Sequence, residues 1–122
     1  LPIYQTIEKE AISDLDKGFV SRFKSLVEER MKDAELNVED LGRNMGMSRV
    51  QLYRKLKSLT NYSPNELLRQ MRLKKAASLL ASSDMTVAEI AYEVGFSSPS
   101  YFTKCYKEQF GESPTEFLKR RG

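Results

Sequence analysis

Histidine and tryptophan are absent from these 122 residues, and cysteine occurs once, at Cys105. Without histidine, and with one thiol, the chain has no ligand set for a structural zinc site, no Ser-His-Asp triad and no Cys-His dyad. A single cysteine cannot close an internal disulfide, which fits a reducing, cytoplasmic setting. The six glycines stand singly and never form a phosphate-cradling loop. No apolar run approaches the roughly 18 residues of a membrane span, and the N-terminus lacks the pattern of a secretory signal. Neither membrane contact nor a cofactor is expected. Ser-Lys and carboxylate pairs keep an enzyme formally open, but it is the least supported class.

Acid is scarce in one part of the chain and abundant in another. Residues 1–40 hold six Lys/Arg against ten Asp/Glu, whereas residues 41–122 hold fourteen against seven. From Arg49 to Lys75 there are eight basic residues and one acid, Glu66. Such a segment attracts polyanions, of which DNA is the commonest. Charge alone fits a solvated helix face equally well.

Proline is confined to positions 2, 64, 99 and 114, which leaves long stretches free for helix. Residues 1–16 show no clear period and read as a linker or arm. Over Lys17–Ala34, the residues Phe19, Phe23, Leu26, Val27, Arg30 and Met31 trace one amphipathic face. Four later helix starts carry caps. Asn37 precedes Val-Glu-Asp, and Thr86 precedes Val-Ala-Glu89, a capping box in which hydroxyl and carboxylate satisfy backbone amides reciprocally. Ser63-Pro64-Asn65-Glu66 and Ser113-Pro114-Thr115-Glu116 are capping boxes with proline at the first helical position. The fold class is all-α.

A repeat then decides the architecture. Val38-Glu39-Asp40-Leu41-Gly42-Arg43-Asn44-Met45-Gly46-Met47-Ser48 lies 49 residues before Val87-Ala88-Glu89-Ile90-Ala91-Tyr92-Glu93-Val94-Gly95-Phe96-Ser97. Downstream, Leu52, Leu56, Asn61, Ser63 and Pro64 match Phe102, Tyr106, Gly111, Ser113 and Pro114 at a spacing of 50, so the second turn holds one extra residue near Pro99. In each copy a short helix presents two apolar residues one turn apart, Leu41 and Met45 or Ile90 and Val94. Gly42 or Ala91 keeps the surface small where a second helix crosses. Gly46 or Gly95 ends the helix in the left-handed conformation. Two short helices joined by such a turn make a helix-turn-helix. The expected organisation is unit one over about 36–62, a connecting helix over about 64–81 and unit two over about 85–120. Residues 17–122 together form the domain.

The segment Ile90-Ala91-x-x-Val94-Gly95-Phe96, followed by Tyr101-Phe102-x-x-x-Tyr106-Lys107-x-x-Phe110-Gly111-x-x-Pro114-x-x-Phe117, resembles the signature of the AraC/XylS transcription regulators. Arg72-Leu73-Lys74-Lys75-Ala76-Ala77-x-Leu79-Leu80 is similar to that family's connecting helix. The likeness covers about residues 36–120. More narrowly, Met47-Ser48-Arg49-x-x-Leu52-Tyr53-Arg54-Lys55-Leu56-Lys57-x-Leu59-Thr60 resembles the C-terminal domains of hybrid two-component regulators. The resemblance implies two homeodomain-like units that lay their second helices into successive major-groove segments of double-stranded DNA. It implies as protein partners an upstream receiver or sensor domain and RNA polymerase.

Helical geometry nominates the contacting residues independently. With Leu52, Leu56 and Leu59 turned inward, the opposite arc at 100° per residue holds Val50, Tyr53, Arg54 and Lys57. Phe102 and Tyr106 turned inward put Ser100, Thr103, Lys104 and Lys107 outward. The family's base-contacting positions, carried over, are Val50, Tyr53, Arg54, Ser100, Thr103 and Lys104. Arg54 suits bidentate pairing with guanine, and Val50 and Tyr53 suit thymine methyls. Arg49, Lys57 and Lys107, with the helix starts at Ser48 and Ser63, suit phosphate. Cys105 reads as a small packing residue. A helical protein adaptor and a nonspecific architectural DNA binder remain the competing readings. The first leaves the basic outward faces unexplained, and the second more typically carries apolar wedges for the minor groove.

Overall fold

The structure is a computed structural model that describes residues 13–122. These residues form seven helices and no strand: α1 (Asp14–Arg30), α2 (Val38–Asn44), α3 (Arg49–Thr60), α4 (Pro64–Ser82), α5 (Val87–Glu93), α6 (Pro99–Phe110) and α7 (Pro114–Arg121). None of the described helices is long and apolar enough to cross a membrane.

Residues 14–16, expected to belong to an arm over residues 1–16, are part of α1. Ser13 caps α1 by accepting from the Asp16 amide at 3.1 Å, and Asp14 and Asp16 bring acid to the positive helix end. The helix thus begins three residues before Lys17. The rest of that segment, residues 1–12, lies outside the described residues.

The caps read from sequence form as hydrogen bonds. Asn37 accepts from Asp40, and Ser63, Thr86 and Ser113 form reciprocal boxes with Glu66, Glu89 and Glu116. The hydrogen bond from Thr86 holds the Glu89 carboxyl below its ordinary value. One box escaped the sequence reading, that between Ser48 and Gln51 at the start of α3.

Two apolar cores share α4. The first gathers Phe23 and Val27 of α1, Leu41 of α2, Leu52 and Leu56 of α3, and Leu67 and Leu68 from the first half of α4. The second gathers Leu73, Ala76 and Leu80 from the other half of α4, with Ile90, Val94, Phe96, Phe102 and Tyr106. Each fully buried side chain of this size stabilises the fold by roughly 1.5–3 kcal/mol. Cys105 is buried in the second core as a free thiol. Met31, just past the end of α1, packs against both.

The turns of the two helix-turn-helix units share their closing hydrogen bonds. Gly46 and Gly95 sit at φ +70° and +96°. The Met47 amide donates to the Gly42 carbonyl at 2.8 Å, and the Phe96 amide to the Ala91 carbonyl at 2.9 Å. This six-to-one bond across a left-handed residue closes the last turn of α2 and of α5. A Cβ on Gly42 would lie 2.8 Å from the Met47 carbonyl, which explains glycine there. Asn61 and Gly111 occupy matching left-handed positions at the ends of α3 and α6, at φ 67° and 79°. Four residues, 45–48, join α2 to α3, and five, 94–98, join α5 to α6, so the extra residue lies in the second turn.

Candidate nucleic-acid interface

Each unit offers the outer side of its second helix. Leu52 and Leu56 are completely buried, which fixes the rotation of α3. Val50, Tyr53, Arg54 and Lys57 then face solvent, Val50 and Tyr53 with about half their surface free (56% and 48%). On α6, buried Phe102 and Tyr106 leave Ser100, Lys104 and Lys107 exposed, while Thr103 is only half-exposed. The outward arcs expected from periodicity are therefore both present. Thr103 is drawn closer to the core than its counterpart Tyr53.

The long cations differ in what they touch. Among the described residues, Arg49, Arg54 and Lys104 enter no ion pair or side-chain hydrogen bond, so their charges are free for a ligand. Lys57 instead donates to the Asn61 carbonyl at 3.1 Å, at the negative end of its own helix. The Lys107 ammonium lies 3.9 Å from the Glu116 carboxylate, both of them exposed. Neither interaction is strong enough in water to prevent exchange for a phosphate. Lys55 turns away altogether, to the Phe19 ring at 4.6 Å and to Asp16. Arg120 is held by Glu112, with donor distances of 2.7 and 3.3 Å, and its guanidinium keeps that carboxyl below the usual range.

The helix N-termini separate into two classes. Helices α1, α2, α4, α5 and α7 each carry one or two acids in the first turn, as the helix dipole favours. Helices α3 and α6 carry none. In α3 the N3 position of the capping box is filled by neutral Gln51, where α4, α5 and α7 have glutamate. The positive ends of α3 and α6 are therefore not neutralised by carboxylates of their own, which suits an incoming anion. Ser48 stands at such an end. Ser63 does not, because its amide donates to the Glu66 carboxylate at 3.2 Å, where a phosphate would meet negative charge.

Two features were missed from the sequence. Tyr101, half-exposed in the first turn of α6, rests against Phe96 with ring centroids 5.9 Å apart. The signal was its equivalence to Gln51 in the repeat. Arg72 of α4 donates to the Met31 and Asp33 carbonyls at 3.3 and 2.9 Å. No local pattern points to a partner about forty residues away.

Residues 41–120 match the family model described as a helix-turn-helix domain. The chain is 37% identical over 109 residues to Histidine kinase P4 of Formosa agariphila, a match covering 89% of this chain and 8% of that protein. It is 34% identical over 103 residues to the Msm operon regulatory protein of Streptococcus mutans, covering 84% of this chain and 37% of that one. The chain thus spans well under half the length of these relatives. Among solved structures, an AraC-type transcriptional regulator from Chromobacterium violaceum superposes with a TM-score of 0.80 at 26% identity, over 90% of this chain and 97% of that one. The DNA-binding domain of AdpA, solved in complex with a target DNA, superposes with a TM-score of 0.77 at 30% identity, over 82% of this chain and 89% of that one. With its tandem units, its shared connecting helix and a family match over residues 41–120, the chain belongs to the AraC/XylS family of helix-turn-helix transcription regulators.

Proposed function

We propose that this chain binds double-stranded DNA sequence-specifically as the output domain of a transcription regulator, with α3 and α6 entering successive major-groove segments. One observation carries the reading. The only described helices without acid in the first turn are the two whose outward arcs hold the free cations Arg49, Arg54 and Lys104. A protein adaptor has no need of that coincidence. The span of α4, 19 residues or about 28 Å, is of the right order to hold two reading heads one duplex turn, about 34 Å, apart. The AdpA domain, solved in complex with a target DNA, supports DNA as the ligand of this fold.

Arg54, Val50 and Tyr53 are assigned to bases in one groove and Ser100, Thr103 and Lys104 to bases in the next. Arg49, Lys57, Lys107 and the α3 start at Ser48 are assigned to phosphate, with Ser63 the weakest member because Glu66 occupies its cap. The match to a histidine kinase supports control by an upstream sensor or receiver domain of the two-component type. RNA polymerase is the further protein partner we assign to such an output domain, and the setting is the cytoplasm.

Titrating binding to a duplex selected from random sequence, across a range of salt, tests the two-groove mode. The five phosphate contacts assigned above give a slope of log K against log salt near −4.5, at about −0.9 per phosphate. A slope shallower than about −2 would mean that one unit docks alone.

Single substitutions test the division of labour. A guanidinium reads a guanine edge with two bonds, whereas Ser100 and Thr103 accept several bases with little discrimination. Arg54→Ala is expected to weaken the preferred site by about 1–3 kcal/mol and to relax preference at one base pair. Lys107→Ala should weaken all sequences alike and reduce the salt slope by about one. Titrations against single-base variants at two salt concentrations check both. An unchanged ranking with Arg54→Ala, and a collapsed one with Lys104→Ala, would move the reading head to α6.

A further inference from the structure

Unit one packs on the first half of α4 and unit two on its second half. A further tie between the two units lies at the end of α1. The Arg72 guanidinium, half-buried on α4, reaches two carbonyls there, those of Met31 at 3.3 Å and Asp33 at 2.9 Å. The Met31 side chain packs on both cores. Gly95, in the turn between α5 and α6, presses on the same place. A Cβ at Gly95 would lie 1.9 Å from the Met31 carbonyl oxygen and 2.8 Å from Arg72 Nε. Close by, Lys32 pairs with Glu93 at 3.0 Å, an exposed bridge of small worth. The end of α1, the middle of α4 and the α5–α6 turn therefore meet at one point around one planar, forked donor.

Burial draws Arg72 below the ordinary arginine value and the Asp33 charge works the other way. The guanidinium nonetheless stays charged at neutral pH. Its fork can serve two carbonyls at once, which a lysine ammonium on a flexible stem holds less rigidly.

We propose that Arg72 is a positioning residue that locks the spacing and rotation between α3 and α6, so that the chain selects DNA by the separation of its two half-sites as well as by their bases. The selection rests on the DNA-binding reading above; the lock itself does not. One inserted base pair moves a half-site by about 3.4 Å and about a tenth of a turn. A rigid pair of reading heads cannot follow that displacement, whereas a loosely hinged pair can.

The test measures the lock with and without DNA. Spin labels on cysteines introduced at exposed Ser58 and Glu108, with the buried Cys105 replaced by Ala, report the α3–α6 distance in the whole chain. The parent should give one narrow distance, and Arg72→Ala a broadened or second one. In parallel, duplexes selected from random DNA are altered by one inserted or deleted base pair between the half-sites. The parent should lose about tenfold or more in affinity, on the scale of a mismatched base pair, and Arg72→Ala less than about threefold. Should Arg72→Ala fail to fold, Arg72→Lys keeps charge and stem but not the fork, and carries the same two readouts. A folded variant with an unchanged distance distribution and an unchanged spacing penalty would overturn the proposal and leave Arg72 a merely stabilising residue. If the parent selects no DNA at all, the DNA-binding reading fails, and the label distances alone decide whether Arg72 is the lock.

Discussion

Phe102→Ala is expected to destabilise the chain by about 3–5 kcal/mol, and to do so unevenly, opening unit two well before unit one. Phe102 is completely buried in the second core. Its ring lies edge-on to Phe96 at 5.2 Å and tilted against Tyr106 at 5.8 Å, contacts that add to simple burial. Alanine leaves a ring-sized void in the second core, which the surrounding side chains fill only in part. A loss of this size is a large part of the roughly 5–15 kcal/mol that holds a domain together. The first core shares no buried residue with the second, and each draws on its own half of α4. Backbone hydrogen exchange in Phe102→Ala should therefore accelerate most in α5, α6, α7 and the second half of α4, with α2 and α3 better protected. Urea unfolding followed by circular dichroism supplies the overall loss. Uniform acceleration across both units would show that α4 couples them into one cooperative block. Leu52→Ala, at the equivalent place in unit one, should give the mirror pattern at about 2–5 kcal/mol.

The features legible in the sequence were those written in local chemistry. Caps such as Thr86 with Glu89 need only four consecutive residues, and they formed as read. The left-handed positions Gly46 and Gly95 were visible because the repeat aligned them, and both have positive φ. The start of α1 is less legible because residues 14–16 precede any apolar period, although Ser13 with Asp14 and Asp16 carries a capping signal. The outward arcs of α3 and α6 were legible because Leu52, Leu56, Phe102 and Tyr106 fix each helix's rotation. What a long side chain does beyond its Cβ was not. Lys57 folds back onto the Asn61 carbonyl, Lys107 leans toward Glu116, and Lys55 lies on Phe19. Those destinations depend on neighbours brought in by the fold. The Arg72 junction is the extreme case, since its partners lie past the end of a different helix, about forty residues away in sequence.

Gly95→Ala is expected to cost about 2–5 kcal/mol, against about 1–2 kcal/mol for Gly46→Ala, although the two glycines end equivalent helices. Both sit at positive φ, +96° and +70°, where an L side chain strains against its own backbone. That part of the cost is shared. What differs is the space around the added methyl. At Gly46 a Cβ meets nothing within 4 Å, whereas at Gly95 it falls 1.9 Å from the Met31 carbonyl oxygen and 3.0 Å from Arg72 Cζ. The nearest obstacle is backbone, so no rotamer change clears it. Either the end of α1 moves off unit two, or the turn between α5 and α6 shifts and pulls Phe96 from the second core. Both routes disturb Met31 and the guanidinium that holds its carbonyl. Forcing a methyl into packed surroundings of this kind adds about 1–3 kcal/mol to the left-handed strain. Chemical denaturation of the two variants under identical conditions measures the difference directly. A gap below about 1 kcal/mol would show that the end of α1 yields freely, and that the close approach of Gly95 to Met31 is a contact without rigidity.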